Sequence, residues 1–143
     1  MQDLGKYIKL RLEKLNYFSK ELAPIPGISP PITRNYVTRG AYFGYRPFYN
    51  KKELNNINIY DFIKIMNAEG MEVRQSGNRP LHQLPLFNSK QLNKNDFPNC
   101  DTFYKSSLSL PTFTLEDISL IDEYVLAFKK VCNILSKYKI DLK

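Results

Sequence analysis

The sequence predicts an α+β domain, with a small sheet of three or four mostly antiparallel strands and helices packed on one face. Three observations predict it. Segments near both ends carry apolar residues at spacings of three and four, the signature of helices with one buried side. Between them lie short aromatic and β-branched stretches bounded by Gly and Pro, which read as strands. The order of these elements does not alternate strand and helix regularly enough for a parallel sheet.

The chain has 143 residues, 43% hydrophobic and 24% charged, with ten Tyr and nine Phe. That suits one domain and argues against a disordered chain. No apolar run approaches the ~18 residues of a membrane-spanning helix. The opening MQDLGKYIKLRLEKL is charged throughout and lacks a signal peptide's apolar stretch, so a cytoplasmic protein is expected. The net charge of +7 comes from scattered lysines and arginines without a block of like charge, which argues against a nucleic-acid tail. Cys100, Cys132 and the single His82 do not stand at metal-ligand spacing, so no metal is expected. Both thiols are expected to be reduced, with Cys132 buried on a helix stripe.

Taken in order, Asp3 to Leu22 is an amphipathic helix whose stripe is Leu4, Ile8, Leu12, Leu15, Phe18 and Leu22. Pro24, Pro26, Gly27, Pro30 and Pro31 end it and begin an extended linker. The boundary divides residues 1–23, a linker helix, from a domain over 24–143. Asn35–Tyr49 suggests one or two strands, with Gly40 and Gly44 marking bulges or close backbone approach. Asn58 is the N-cap of a second helix through Ile59, Phe62, Ile63 and Met66, and Gly70 its C-terminal stop. A strand is expected over Met71–Arg74. The polar stretch Gln75–Phe97 lacks periodicity, and long loops of that kind often carry function. A short helix or turn over Phe97–Lys105 and a strand over Ser106–Leu110 follow. Pro111 breaks the strand, and Thr114 caps a final helix with Glu116 and Asp117 in its first turn. Its stripe is Ile118, Ile121, Val125, Phe128, Cys132 and Leu135.

The informative segment is Asn78–Phe87, NRPLHQLPLF. Prolines on both sides of His82 fix the chain path and present Arg79, His82 and Gln83 at set angles. Arg79 suits a phosphate or carboxylate, and His82 a hydroxyl or phosphate. Spacing divides evenly between that reading and a structural one, in which Arg79 pairs with a local carboxylate and His82 caps a backbone carbonyl. No phosphate-binding loop, GxSxG or HExxH motif is present.

The string RPLHQLPLF, a gap, FPNCDTFYKSSLSLPTFT and then LEDISLIDEYVLAFKKV resembles the C-terminal part of the DegT/DnrJ/StrS-type aminotransferases. The family's proline, any residue, Ala or Cys, then acid is matched by Pro98, Asn99, Cys100 and Asp101. Its strand-turn is matched by Ser109, Leu110, Pro111, Thr112, Phe113 and Thr114, with a shortened spacing to the cap. Asn67–Val73 resembles the unit that ends the family's earlier helix. The resemblance implies the small-domain fold of aspartate-aminotransferase-type enzymes. It also implies pyridoxal phosphate in the complete enzyme, a keto sugar on a nucleotide or a keto-cyclitol as substrate, and glutamate or glutamine as amino donor.

By that resemblance, His82 is the first candidate for substrate contact, with Arg79 and Asn78 beside it. No catalytic residue and no cofactor-binding residue is assigned. No lysine stands in the family's Schiff-base context, so the large cofactor-binding domain is expected to lie elsewhere and the chain to be inactive alone. It would then be a natural half-enzyme, a shortened gene product or a retained binding module. It would need a separate large-domain chain or self-association, and Leu4, Ile8 and Leu15 would be partly exposed. The contrasting reading is a non-catalytic module that binds nucleic acid or protein. It would use Tyr36–Tyr49 and the arginines Arg34, Arg39 and Arg46.

Overall fold

The computed structural model describes residues 3–87 and 96–138. The part of the Gln75–Phe97 loop from 88 to 95 lies outside the described residues. Helix α1 spans Leu4–Leu22, α2 Ile59–Ala68, α3 Pro98–Ser106 and α4 Ile118–Lys137. The strands are short: β1 is Ile28–Ser29, β2 Phe48–Tyr49, β3 Arg74–Gln75 and β4 Leu108–Ser109.

Antiparallel pairing joins β1 to β2 and β3 to β4. Single bridges Tyr45–Leu110 and Phe48–Ser107 link the two ribbons, through Leu108 N–H to Pro47 O and Leu110 N–H to Tyr45 O, both 3.0 Å. The ladder therefore runs β1, β2, β4, β3. The fold is α+β, as the sequence predicts. The residues expected to be linker supply β1, because Gly27 turns the chain there. Gly27 has φ +78°, and an added Cβ would lie 2.5 Å from the Leu54 side chain. Its N–H donates to Glu53 Oε2 at 2.7 Å, and its carbonyl accepts from Asn50 N–H at 2.8 Å.

Side chains alternate across each strand, so Tyr49 and Phe48 face opposite ways. Tyr49 packs on Phe62 of α2, with ring centroids 4.7 Å apart. Phe48 meets Phe103 of α3 at 5.7 Å on the other side. Helices α1, α2 and α4 build the main core. Phe18 sits at its centre, 5.1 Å from Tyr45, 5.5 Å from Phe113 and 6.3 Å from Tyr124. Helix α1 is also tied down by polar contacts. Arg11 Nε donates to Thr114 Oγ1 at 2.7 Å, and the Tyr17 hydroxyl to Asp122 Oδ1 at 2.6 Å.

Several expectations shift by a few residues, each for a physical reason. The strand expected at Met71–Arg74 begins only at Arg74, because side chains occupy the preceding amides. Glu72 N–H donates to the Tyr124 hydroxyl, and Val73 N–H to Asn67 Oδ1. Thr114 does not cap α4. Its hydroxyl accepts from Arg11, its carbonyl from Lys14, and its N–H donates to Glu116. The helix starts after Asp117 instead, so Glu116 and Asp117 precede its first turn. Asn58 and Gly70 behave as expected: the Asn58 side chain accepts from Asp61 N–H, and Gly70 has φ +85°. Neither Gly40 nor Gly44 brings another backbone close.

Leu15, expected to be partly exposed, is fully buried, because α1 lies against α4. Leu4 is 58% exposed and Ile8 half-buried. Ile118 of the predicted α4 stripe is exposed, since the helix begins there. Cys132 is buried, as its stripe position predicts, and burial pushes its thiol up to about 12.

Phe18→Ala should destabilise the fold by about 3–5 kcal/mol, the usual cost of removing a core aromatic ring. Leu4→Ala should change stability by no more than about 0.5 kcal/mol. Urea unfolding of both variants checks the contrast. Because the folded Cys132 thiol holds its proton to higher pH than the unfolded one, unfolding gains favour as pH rises from about 8.5 towards 12. Cys132→Ala should flatten that alkaline loss, read by thermal melts at pH 8 and pH 11 compared with the wild type.

Candidate functional site

The loop after β3 folds into two 3-10 turns, Leu81–Gln83 and Pro85–Phe87. Pro80 and Pro85 constrain the backbone at their starts. Helix α3 faces this loop. Pro98 opens α3, and proline is preorganised for a first helical position, where its missing N–H costs nothing. Asp101 sits in that first turn, where an acid meets the positive end of the helix dipole.

Asp101 is the node of the site. Its Oδ1 lies 2.9 Å from His82 Nε2 and accepts from Gln83 Nε2 as well. The His82 side chain is only 6% exposed. Its ring stacks on Phe97 at 5.0 Å with 22° between planes. One carboxylate thus holds two consecutive residues of the loop, and an aromatic ring fixes the plane of the imidazole.

Two cavities flank this node. The smaller, about 380 Å³, is lined by Pro80, Leu81, His82, Phe87, Phe97 and Cys100. The larger, about 590 Å³, lies between the 3-10 turn at Lys51–Leu54, the start of α2 and the C-terminal half of α3. Gln83 reaches its wall, so both pockets border the same loop.

Of the residues singled out in the sequence, His82 joins Asp101 and lines the smaller cavity. Asn78 and Arg79 are exposed and line neither cavity. Among the described residues His82 caps no backbone carbonyl; its partner is a carboxylate 19 residues away. Sequence reasoning quoted Asp101 only as part of a motif and gave Phe97 no role. The signal available was an acid in the first turn of a helix opened by proline, close after the loop's histidine.

The stretch Tyr36–Tyr49 does not form a row of stacking platforms. Tyr42, Tyr45 and Tyr49 are buried in the core, where the Tyr45 hydroxyl bonds Ser19 and the Tyr49 hydroxyl donates to Ile57 O. Tyr36 and Phe43 are exposed. Among the described residues, no group of three or more His, Cys, Asp or Glu is placed to hold a metal ion. No described helix is long and apolar enough to cross a membrane.

The site is thus a proline-bounded loop clamped to the helix that follows it, beside a small antiparallel sheet. The chain belongs to the DegT/DnrJ/EryC1/StrS aminotransferase family, whose model matches residues 1–124. The fold is shared with solved structures. DesV of S. venezuelae, solved in complex with a ketimine intermediate, is 16% identical with a TM-score of 0.78, covering 98% of this chain and 34% of its own. The aminotransferase TlmJ from Streptoalloteichus hindustanus is 13% identical with a TM-score of 0.77, covering 94% and 34%. DesI, solved in the presence of its TDP-sugar product, is 15% identical with a TM-score of 0.71, covering 93% and 34%. The chain spans about a third of the length of these structures. No curated protein matches it in sequence.

The family's cofactor is pyridoxal phosphate, which needs a recessed lysine amine. The described lysines do not fit that need. Lys14 and Lys129 are half-buried, and both are engaged, Lys14 with the carbonyls of Thr114 and Glu116, Lys129 with Glu21 at 3.3 Å. The other described lysines are exposed.

Asp101→Ala removes the acceptor shared by His82 and Gln83, and should cost about 1–3 kcal/mol, the penalty of stranding partly buried donors. The same change should speed proteolysis within the 78–87 loop, measured by limited digestion and mass spectrometry. Equal digestion rates in variant and wild type would refute the clamp. The exposed Cys100 should react with a thiol reagent in the native state, and the buried Cys132 only on unfolding.

Proposed function

We propose that this chain is the cleft-closing small domain of a pyridoxal-phosphate aminotransferase. The amino acceptor is a keto sugar carried on a nucleotide, or a keto-cyclitol, and the donor is glutamate or glutamine. The lysine-bearing large domain lies outside residues 1–143, and the assembly is cytoplasmic. The 1–23 segment acts as the bridge to that domain, and 24–143 as the lid. The family match over residues 1–124, with a fold covering a third of whole aminotransferases, carries this reading. DesI, with its TDP-sugar product, favours a nucleotide-linked acceptor.

In this reading Asn78, Arg79 and His82 form the wall that meets substrate. Arg79 is exposed and offers a planar set of donors that fits phosphate or carboxylate. His82 Nε2 pairs with Asp101 Oδ1, and Nδ1 is the ring atom turned to a substrate hydroxyl. Phe97 and Asp101 keep the ring in one orientation. The contribution is positioning, which lowers the entropy cost of reaching the reacting geometry. Proton transfer belongs to the large domain's lysine, and no proton is moved by the residues of this wall.

The chain mixed with a family large domain should show aminotransferase activity towards a nucleotide-linked keto sugar, while each part alone shows none. Activity of this chain alone, with cofactor absorbance, would sink the proposal. In the active mixture, His82→Ala should raise KM about tenfold or more, the loss of one well-placed hydrogen bond in a dry site, without changing cofactor absorbance. Unchanged kinetics would take His82 off the wall.

A further inference from the structure

Residues 22–52 combine charge and exposure in a way that the aminotransferase reading does not use. They hold five cations, Arg34, Arg39, Arg46, Lys51 and Lys52, and no Asp or Glu. Lys51 and Lys52 line the larger cavity together with Lys105, while the arginines lie between β1 and β2. None of the six ion pairs among the described residues involves any of the five. A surface of one sign without counter-charge attracts anions.

The loop over 32–39 is built to hold a shape. Val37 N–H donates to Arg34 O at 2.9 Å and closes a turn at its tip. Arg39 Nε donates to Thr33 Oγ1 at 2.7 Å and its Nη2 to Ile32 O at 3.1 Å, which joins the two arms. The same guanidinium lies 4.5 Å from the ring of the buried Tyr42 and so fastens the loop to the core. Arg34 Nη1 donates to the Tyr36 hydroxyl at 2.7 Å. Yet the apolar side chains of this ordered loop are given to water: Ile32 is 82% exposed, Tyr36 76% and Val37 48%.

Occupants differ in what they require. A second copy docked tip to tip would set arginine against arginine. A stable protein interface takes about 800 Å² and roughly 20–30 residues on each side, far more than one turn offers. A lipid surface needs only a few apolar side chains at its acyl boundary, with flanking cations on anionic headgroups. Tyrosine favours headgroup depth, and a guanidinium fits phosphate. Contact of this kind is peripheral and needs no membrane-spanning helix.

We propose that the 32–39 loop docks this chain on an anionic lipid surface, with Ile32 and Val37 entering the acyl boundary and Arg34 and Tyr36 meeting headgroup phosphates. The contact needs no pyridoxal phosphate and no large domain, so it stands or falls separately from the aminotransferase reading.

The test uses the full 143-residue chain and sedimentation with vesicles of phosphatidylcholine, alone or with about one third phosphatidylglycerol. The chain should pellet with the anionic vesicles only, and less as salt rises. The double change Ile32→Ser with Val37→Ser should weaken partitioning about tenfold or more, through lost apolar burial. Arg34→Gln should weaken it about fivefold, the worth of one cation near an anionic surface. Leu126→Ser, at an exposed apolar position on α4, should leave it unchanged. The chain has no Trp, so Tyr36→Trp places a single indole at the tip. Its emission should shift to the blue on anionic vesicles and be quenched by acyl-brominated lipid. The altered side chains are exposed, and far-ultraviolet circular dichroism verifies that the fold persists. Polyglutamate and a single-stranded oligonucleotide serve as anionic polymers without acyl chains. Three results would overturn the site: no pelleting with anionic vesicles, tip variants that partition like wild type, or either polymer binding as tightly as the vesicles, which would assign the loop to an acidic protein or a nucleic acid. None of them would bear on whether the chain completes an aminotransferase.

Discussion

The ring of Phe18 is the contact on which the architecture depends. Strands of two residues contribute few ladder hydrogen bonds, and a sheet this small has little stability of its own. It persists because Phe18 reaches from α1 to Tyr45 beside β2, to Phe113 after β4 and to Tyr124 in α4. A single side chain thus joins the first helix, both ribbons of the sheet and the last helix. Edge-to-face packing among these rings adds specificity to the burial of their area. Arg11 and Tyr17 then fix α1 to the Thr114 turn and to α4 through directional bonds.

That arrangement decides what kind of surface is left over. With α1, α2 and α4 on one face, the opposite face receives only α3, which meets the sheet through Phe103 and Phe48. Helix α3 therefore borders two recesses, one on the loop side at His82 and Phe97, one on the lysine side at Lys105. Both recesses take part of their wall from this one short helix. Its first turn holds Asp101, whose carboxyl group grips His82 and Gln83.

The amphipathic helices were legible because their signal is local. The 3.6-residue period of α1, α2 and α4 follows from side chains on one face seeking burial, and Asn58 and Gly70 mark ends through backbone chemistry within a few residues. The misplaced elements have a common cause. Met71–Val73 reads as strand, but Tyr124, about fifty residues away in α4, captures the Glu72 amide. Thr114 reads as a cap, but Arg11 and Lys14, about a hundred residues earlier, claim its oxygens. Local propensity loses wherever a distant side chain supplies a better partner.

By itself the sequence determined the class of the fold, the helix faces, the buried Cys132 and the loop that carries His82, since each is written in spacing or in proline and glycine over short distances. Tertiary structure alone decided that Leu15 is core, that His82 answers to Asp101 and Phe97, and that Lys51, Lys52 and Lys105 share one recess. Those facts join positions far apart along the chain. A one-dimensional pattern records which residues prefer burial, but not which of them meet once the helices have packed.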